Sequence, residues 1–116
     1  MHTRLLSLLL LIALPGCAVA NRMSGVSEAR EIQRMGQEAR ATILELWDTG
    51  ITVNDDPVVG LRVNVHAADG SSYEATIRRS RVSRVHVPQV QPGLTVRVYV
   101  DPRDRTHVVL GLYDFR

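Results

Sequence analysis

The chain has 116 residues, with 14 basic against 12 acidic side chains and a formal net charge of +2. That length allows one domain, the near-balanced charge excludes a binder driven by bulk attraction to polyanions, and the single cysteine excludes an intramolecular disulfide. Aromatic residues are only 4% of the chain, so any core must be built from Val, Leu and Ile. The first segment in chain order is MHTRLLSLLLLIALPGCAVA. Arg4 precedes an unbroken apolar run from Leu8 to Leu14, and small residues follow. These are the charged, apolar and cleavage regions of an export signal. The apolar stretch from Leu5 to Leu14 is shorter than the roughly 20 residues of a membrane-spanning helix.

The end of this segment, Leu14-Pro15-Gly16-Cys17, resembles the signal of a bacterial lipoprotein. Such signals place an apolar residue and two small residues before an invariant Cys; Pro15 departs from the usual small residue. The resemblance implies that residues 1–16 are a lipoprotein signal peptide and that Cys17 becomes the first mature residue. Cys17 would then carry the lipid, palmitate among its acyl chains, as the protein's membrane anchor. Each buried methylene contributes about 0.8 kcal/mol and a single chain binds only marginally. The diacylglycerol and third acyl chain of such proteins make the anchor permanent. Ala18 stands where Asp would otherwise follow the lipidated Cys. The resemblance therefore implies an outer membrane facing the periplasm, in a cell that has one.

Residues 17–26 are small and polar and read as a tether. Residues 27–39 read as an amphipathic helix. Ser27 is the expected N-cap, and Glu28 suits the positive end of the helix dipole. Val26, Ala29, Ile32, Met35 and Ala39 form a narrow apolar stripe, and Arg34 and Glu38 are spaced as an i,i+4 pair. Gly36 then weakens the helix by about 1 kcal/mol relative to Ala. The stripe lacks the Trp, Phe and Leu of interfacial helices, so the helix is expected to pack across the domain.

Residues 40–116 read as β. ATILELWDT is assigned as a strand, although its apolar spacing also fits a helix. In VVGLRVNVHA, Val59, Leu61, Val63 and Val65 alternate with Gly60, Arg62, Asn64 and His66. Asp69-Gly70 is a hairpin signal, and Tyr73, Ala75 and Ile77 alternate after it. In GLTVRVYV, Leu94, Val96, Val98 and Val100 are expected to face inward. DPRDR is a turn, and THVVLGLYDF is the last strand. The pattern predicts a mainly β chain, with one helix before five antiparallel strands curled into a small barrel. Trp47 is expected to be its largest packing element.

Three stretches together, ATILELWDTGITVNDDPVVGLRVNV, YEATIRRSRVS and PGLTVRVYVDPRD, resemble a small β-barrel domain of uncharacterised bacterial envelope proteins. The similarity covers roughly residues 40 to 110. It implies an OB-like or SH3-like barrel beside a membrane anchor, and it carries no catalytic residues.

Asp48-Thr49-Gly50 is also the signature of aspartic proteases, and Val108-Val109-Leu110-Gly111 could supply the later apolar-apolar-Gly of a small dimeric one. Two copies of Asp48 would have to share a proton. Ile51 stands where those enzymes carry Ala or Ser, and a branched side chain would crowd the pair. The structural expectation is that Gly50 takes a positive φ while Asp48 or Thr49 bonds the local backbone. Asn54, Asp55 and Asp56 lack Ca²⁺-loop spacing and read as a turn with a solvated charge pair. His66, His86 and His107 are too dispersed for a zinc motif. Arg78, Arg79, Arg81 and Arg84 fall within seven residues and form a candidate anion-binding segment for lipid head groups or envelope polysaccharide. Nucleic acid is not expected, since barrels that bind it use exposed stacking aromatics. The sequence reading is a non-enzymatic, lipid-anchored envelope protein without cofactor or metal. Its barrel meets another envelope protein, with anionic-ligand binding as the alternative and the protease as a remote one.

Overall fold

A computed structural model describes residues 25–111. The export signal, Cys17, most of the tether and the last residues of the expected final strand lie outside the described residues. Helix α1 spans Val26–Met35, and five strands follow: β1 Gln37–Val53, β2 Asp56–His66, β3 Ser72–Arg81, β4 Thr95–Asp101 and β5 Asp104–Leu110. A single 3-10 turn at Val87–Gln89 lies between β3 and β4.

The strands form one sheet in the order β3-β2-β1-β4-β5, every hydrogen-bonded pair antiparallel. The long β1 is shared: Gln37 to Thr42 pair with β4, and Arg40 to Val53 pair with β2. Four antiparallel steps leave both edge strands, β3 and β5, running in the same direction as β1. The sheet curls until these edges meet in a nearly closed barrel, the OB-like of the two expected topologies. At the seam the Tyr73 hydroxyl donates to the Arg105 carbonyl at 2.7 Å, and the Arg105 guanidinium lies 4.1 Å from the Tyr73 ring centre. Helix α1 packs on β3, β4 and β5 and so covers this seam.

The core is aliphatic. Ala41, Ile43, Leu61, Val63, Val65, Ala75, Ile77, Val96, Val98, Val108 and Leu110 fill it from the strands. Val82 and Val90, from the β3–β4 connection, are also buried in this core. Ile32 of α1 is fully buried, as a helix packed across the domain requires.

Several local expectations need correction. The helix stops at Met35, and its N-cap is Gly25 at φ 78 with no side-chain cap, so Ser27 is already inside it. Ala39 and Glu38 belong to β1, and Glu38 is no longer a helical neighbour of Arg34. In β2, Val59, Leu61, Val63 and Val65 meet the core as the alternation expects, while Val58 is fully buried outside that cluster. Leu94 is exposed; its carbonyl accepts from the Ile43 N–H at 2.9 Å, so this position contributes backbone rather than side chain. Trp47 is not in the core. It is 38% exposed and lies against Gly60, where an added Cβ would sit 2.2 Å from the indole.

The Asp48–Gly50 stretch is a bulge within β1, between Asp48 and Ile51. Gly50 takes φ 78, its N–H donates to Asp48 Oδ1 at 2.9 Å, and the Thr49 hydroxyl donates to the Val58 carbonyl at 2.6 Å. The corner is Asn54-Asp55, with φ of 50 and 67, a two-residue turn whose twist suits a hairpin. Asp69-Gly70 turns β2 into β3 as expected: Gly70 has φ 88, and Asp69 Oδ1 accepts from the Ser71 N–H at 2.9 Å.

Candidate functional site

The arginine segment does not act as one row. Arg81 forks onto Asp56 Oδ2, through Nε at 3.1 Å and Nη2 at 2.9 Å. The Arg84 N–H meets Asp56 Oδ1 at 3.3 Å, and its Nε donates to the Asp55 carbonyl at 3.0 Å. These two arginines clamp the β1–β2 turn. Arg81 is the main cause that holds the Asp56 carboxyl below its ordinary range, so Asp56 is paired rather than a solvated charge. Arg78 and Arg79 are different. They stand at the β3 bulge facing Gly60, both exposed.

Arg78 and Arg79 line one wall of a cleft of about 510 Å³ between α1, β3 and β5. Gly25 closes one corner; a Cβ there would be 2.4 Å from the Arg79 carbonyl oxygen, and its φ of +78 is also left-handed. Only glycine lets the start of α1 approach β3 this closely. Ile77 and Val108 to Leu110 supply apolar lining, and Ser80, Asp104 and Thr106 supply polar lining.

On the other wall, Glu28 and His107 belong to an ion network that dispersed sequence positions conceal. Asp101, 4% exposed, accepts on Oδ1 from the Arg103 N–H at 2.8 Å and from Arg103 Nε at 3.1 Å. Its Oδ2 accepts from Arg103 Nη2 at 3.2 Å and from His107 Nδ1 at 3.1 Å. His107 Nε2 meets the Glu28 carboxylate of α1, and Arg103 reaches Glu31 at 3.9 Å. The Arg103 guanidinium is the main cause that pulls the Asp101 carboxyl far below its usual range. Partial burial of the ring would lower the His107 pKa, but the hydrogen bonds to Asp101 and Glu28 outweigh it, and the pKa is raised. Both ring nitrogens face carboxylates, which can only accept when ionised, so the imidazolium is the favoured form. A buried Asp holding a His is also how a general base is built. Here the far nitrogen faces Glu28 rather than a hydroxyl, and the arrangement ties α1 to the β4–β5 hairpin.

Asp48 is exposed, and it pairs with Val59 at the far end of β1. Val108 to Leu110 pair with β4 opposite the start of β1, so the two halves of the protease signature are not brought together within one chain. His66 bonds Thr42 and Ser72, and His86 bonds Ser83, each on its own part of the barrel. Among the described residues there is no cluster of three metal-ligating side chains, and no helix long and apolar enough to cross a membrane. Comparison of the chain with protein-family models, with curated proteins and with solved structures finds no match.

Proposed function

We propose that this chain is a lipid-anchored protein of the cell envelope whose small β-barrel is a non-catalytic interaction module for another envelope protein. The observation that carries the reading is Leu14-Pro15-Gly16-Cys17 directly behind an apolar run, a short tether ahead of a nearly closed barrel. Ala18 supports an outer membrane facing the periplasm, in a cell that has one. The polar groups of the cleft support binding rather than catalysis, because His107 is held between Glu28 and Asp101. Leu44 and Trp47 of β1 are exposed apolar residues on a strand otherwise committed to the ladder, and they suit a protein partner.

Anchoring is tested by metabolic labelling with palmitate. The expected result is a labelled chain in the membrane fraction and loss of both label and membrane association in Cys17→Ser. Label that persists in Cys17→Ser refutes the assignment. The interaction is tested by cross-linking in the native envelope. Trp47→Ser, checked to be folded by circular dichroism, is expected to lose at least tenfold of the captured partner, the cost of about 1.4 kcal/mol at an aromatic anchor. Undiminished capture removes Trp47 from the interface.

A further inference from the structure

We propose that Arg78 and Arg79 dock the barrel onto the anionic phospholipid head groups of the leaflet that holds the Cys17 anchor, with the α1–β3–β5 cleft facing the bilayer. The inference rests on the anchoring reading above and adds an orientation to it.

The first argument is charge availability. Of the four clustered arginines, Arg81 and Arg84 are committed to Asp56 and Asp55, while Arg78 and Arg79 are exposed and make no ion pair among the described residues. Neither of the two acids that line the cleft is paired with them: Glu28 meets His107, and Asp104 Oδ1 accepts from the Thr106 N–H at 3.0 Å and hydroxyl at 2.7 Å. Both guanidinium groups are therefore open to an outside anion.

The second argument is position. The chain enters the domain at Gly25, which packs on the backbone of Arg79 itself. Cys17 lies eight residues earlier, and eight extended residues span at most about 28 Å. A lipid on Cys17 thus brings the β3 bulge near a membrane before any contact is made. Docking becomes intramolecular at a high effective concentration, so two cations suffice where a free protein would need many. A guanidinium forks onto phosphate oxygens. Each cation near an anionic surface strengthens contact about fivefold, and the pair about 30-fold.

The lone cysteine makes the test direct. The chain from Cys17 onward is coupled through its thiol to a maleimide lipid, in vesicles of phosphatidylcholine with or without about 30% phosphatidylglycerol. Arginine modification by phenylglyoxal is then read by mass spectrometry. In the anionic vesicles, labelling of Arg78 and Arg79 is expected to slow by about 10- to 30-fold relative to neutral ones, and to recover in about 0.5 M salt. Arg84 is expected to label equally in both. Energy transfer from Trp47 to a dansyl lipid should rise with phosphatidylglycerol in the wild type and stay flat in Arg78→Gln/Arg79→Gln. Equal labelling of the pair in both vesicles overturns the proposal. So does protection by a soluble anionic polysaccharide with none from the vesicles. Because coupling is chemical, the result is independent of palmitate labelling in cells: an unlabelled chain with a protected pair would sink the anchor and keep the docking surface, and the reverse would do the opposite.

Discussion

Gly36→Ala is expected to destabilise the barrel by about 1–3 kcal/mol, read by denaturant unfolding followed through Trp47 fluorescence. The sequence alone gives the opposite sign. Within a helix over residues 27–39, Ala at this position would gain about 1 kcal/mol over Gly. In the structure Gly36 is the residue after the helix, extended at φ −80 and ψ 163, and its N–H closes the last turn on the Ile32 carbonyl. A Cβ added there would lie 2.5 Å from the Ile32 oxygen and 2.9 Å from the Val100 oxygen. Both are backbone atoms that no side-chain rotation can move. Relief would require α1 to shift off β4, which would loosen the fully buried Ile32 from the barrel. A stabilised Gly36→Ala variant would show that the helix runs on to Ala39.

The second large effect is on pH. Stability is expected to hold a plateau between about pH 4 and pH 6.5 and to fall on both sides of it. The alkaline limb belongs to His107. Its folded pKa is raised, so its contribution is complete below the unfolded value of 6.5 and is lost as pH rises through the higher folded value. The acid limb belongs to carboxylates whose folded pKa values are lowered. Asp101, Asp56, Asp69 and Asp104 contribute above the unfolded value of 3.8, and that contribution is lost as pH falls through their folded values. His107→Gln should flatten the alkaline limb and leave the acid limb in place, in thermal unfolding measured from pH 4 to 9. An unchanged alkaline limb in that variant would mean that His107 does not couple α1 to the hairpin.

What could be read in the sequence was whatever depends on near neighbours. The β2–β3 hairpin follows from Asp69-Gly70 between two alternating runs, and the buried Leu61, Val63, Val65, Ala75 and Ile77 follow from period two. Positions governed by distant chain were misread. Gly36 is fixed by Val100, and the ion network joins Glu28 to His107 across 79 residues. Bulges are also invisible to a period-two pattern, although one extra residue in a strand resets which face every later side chain takes. Arg78 and Arg79 of β3 stand together opposite Gly60, and Asp48-Thr49-Gly50 is a kink within β1, while the turn lies at Asn54-Asp55 as expected. Within the candidate site, sequence proximity grouped four arginines, and the carboxylates of the β1–β2 turn divide them into a structural pair and an exposed pair. Cys17 rests on its motif, and the motif is local.

The placement of α1 at the seam also decides how the domain bears load. A pull arriving through the N-terminal chain enters at Gly25 and acts on α1, whose ten residues rest on the barrel by side-chain contacts. The next element, β1, is stitched on both flanks by backbone ladders. The helix is therefore the mechanical fuse. Peeled from the seam and drawn out, it lengthens from about 15 Å to about 33 Å. The slack extends the domain's reach while the five strands stay folded.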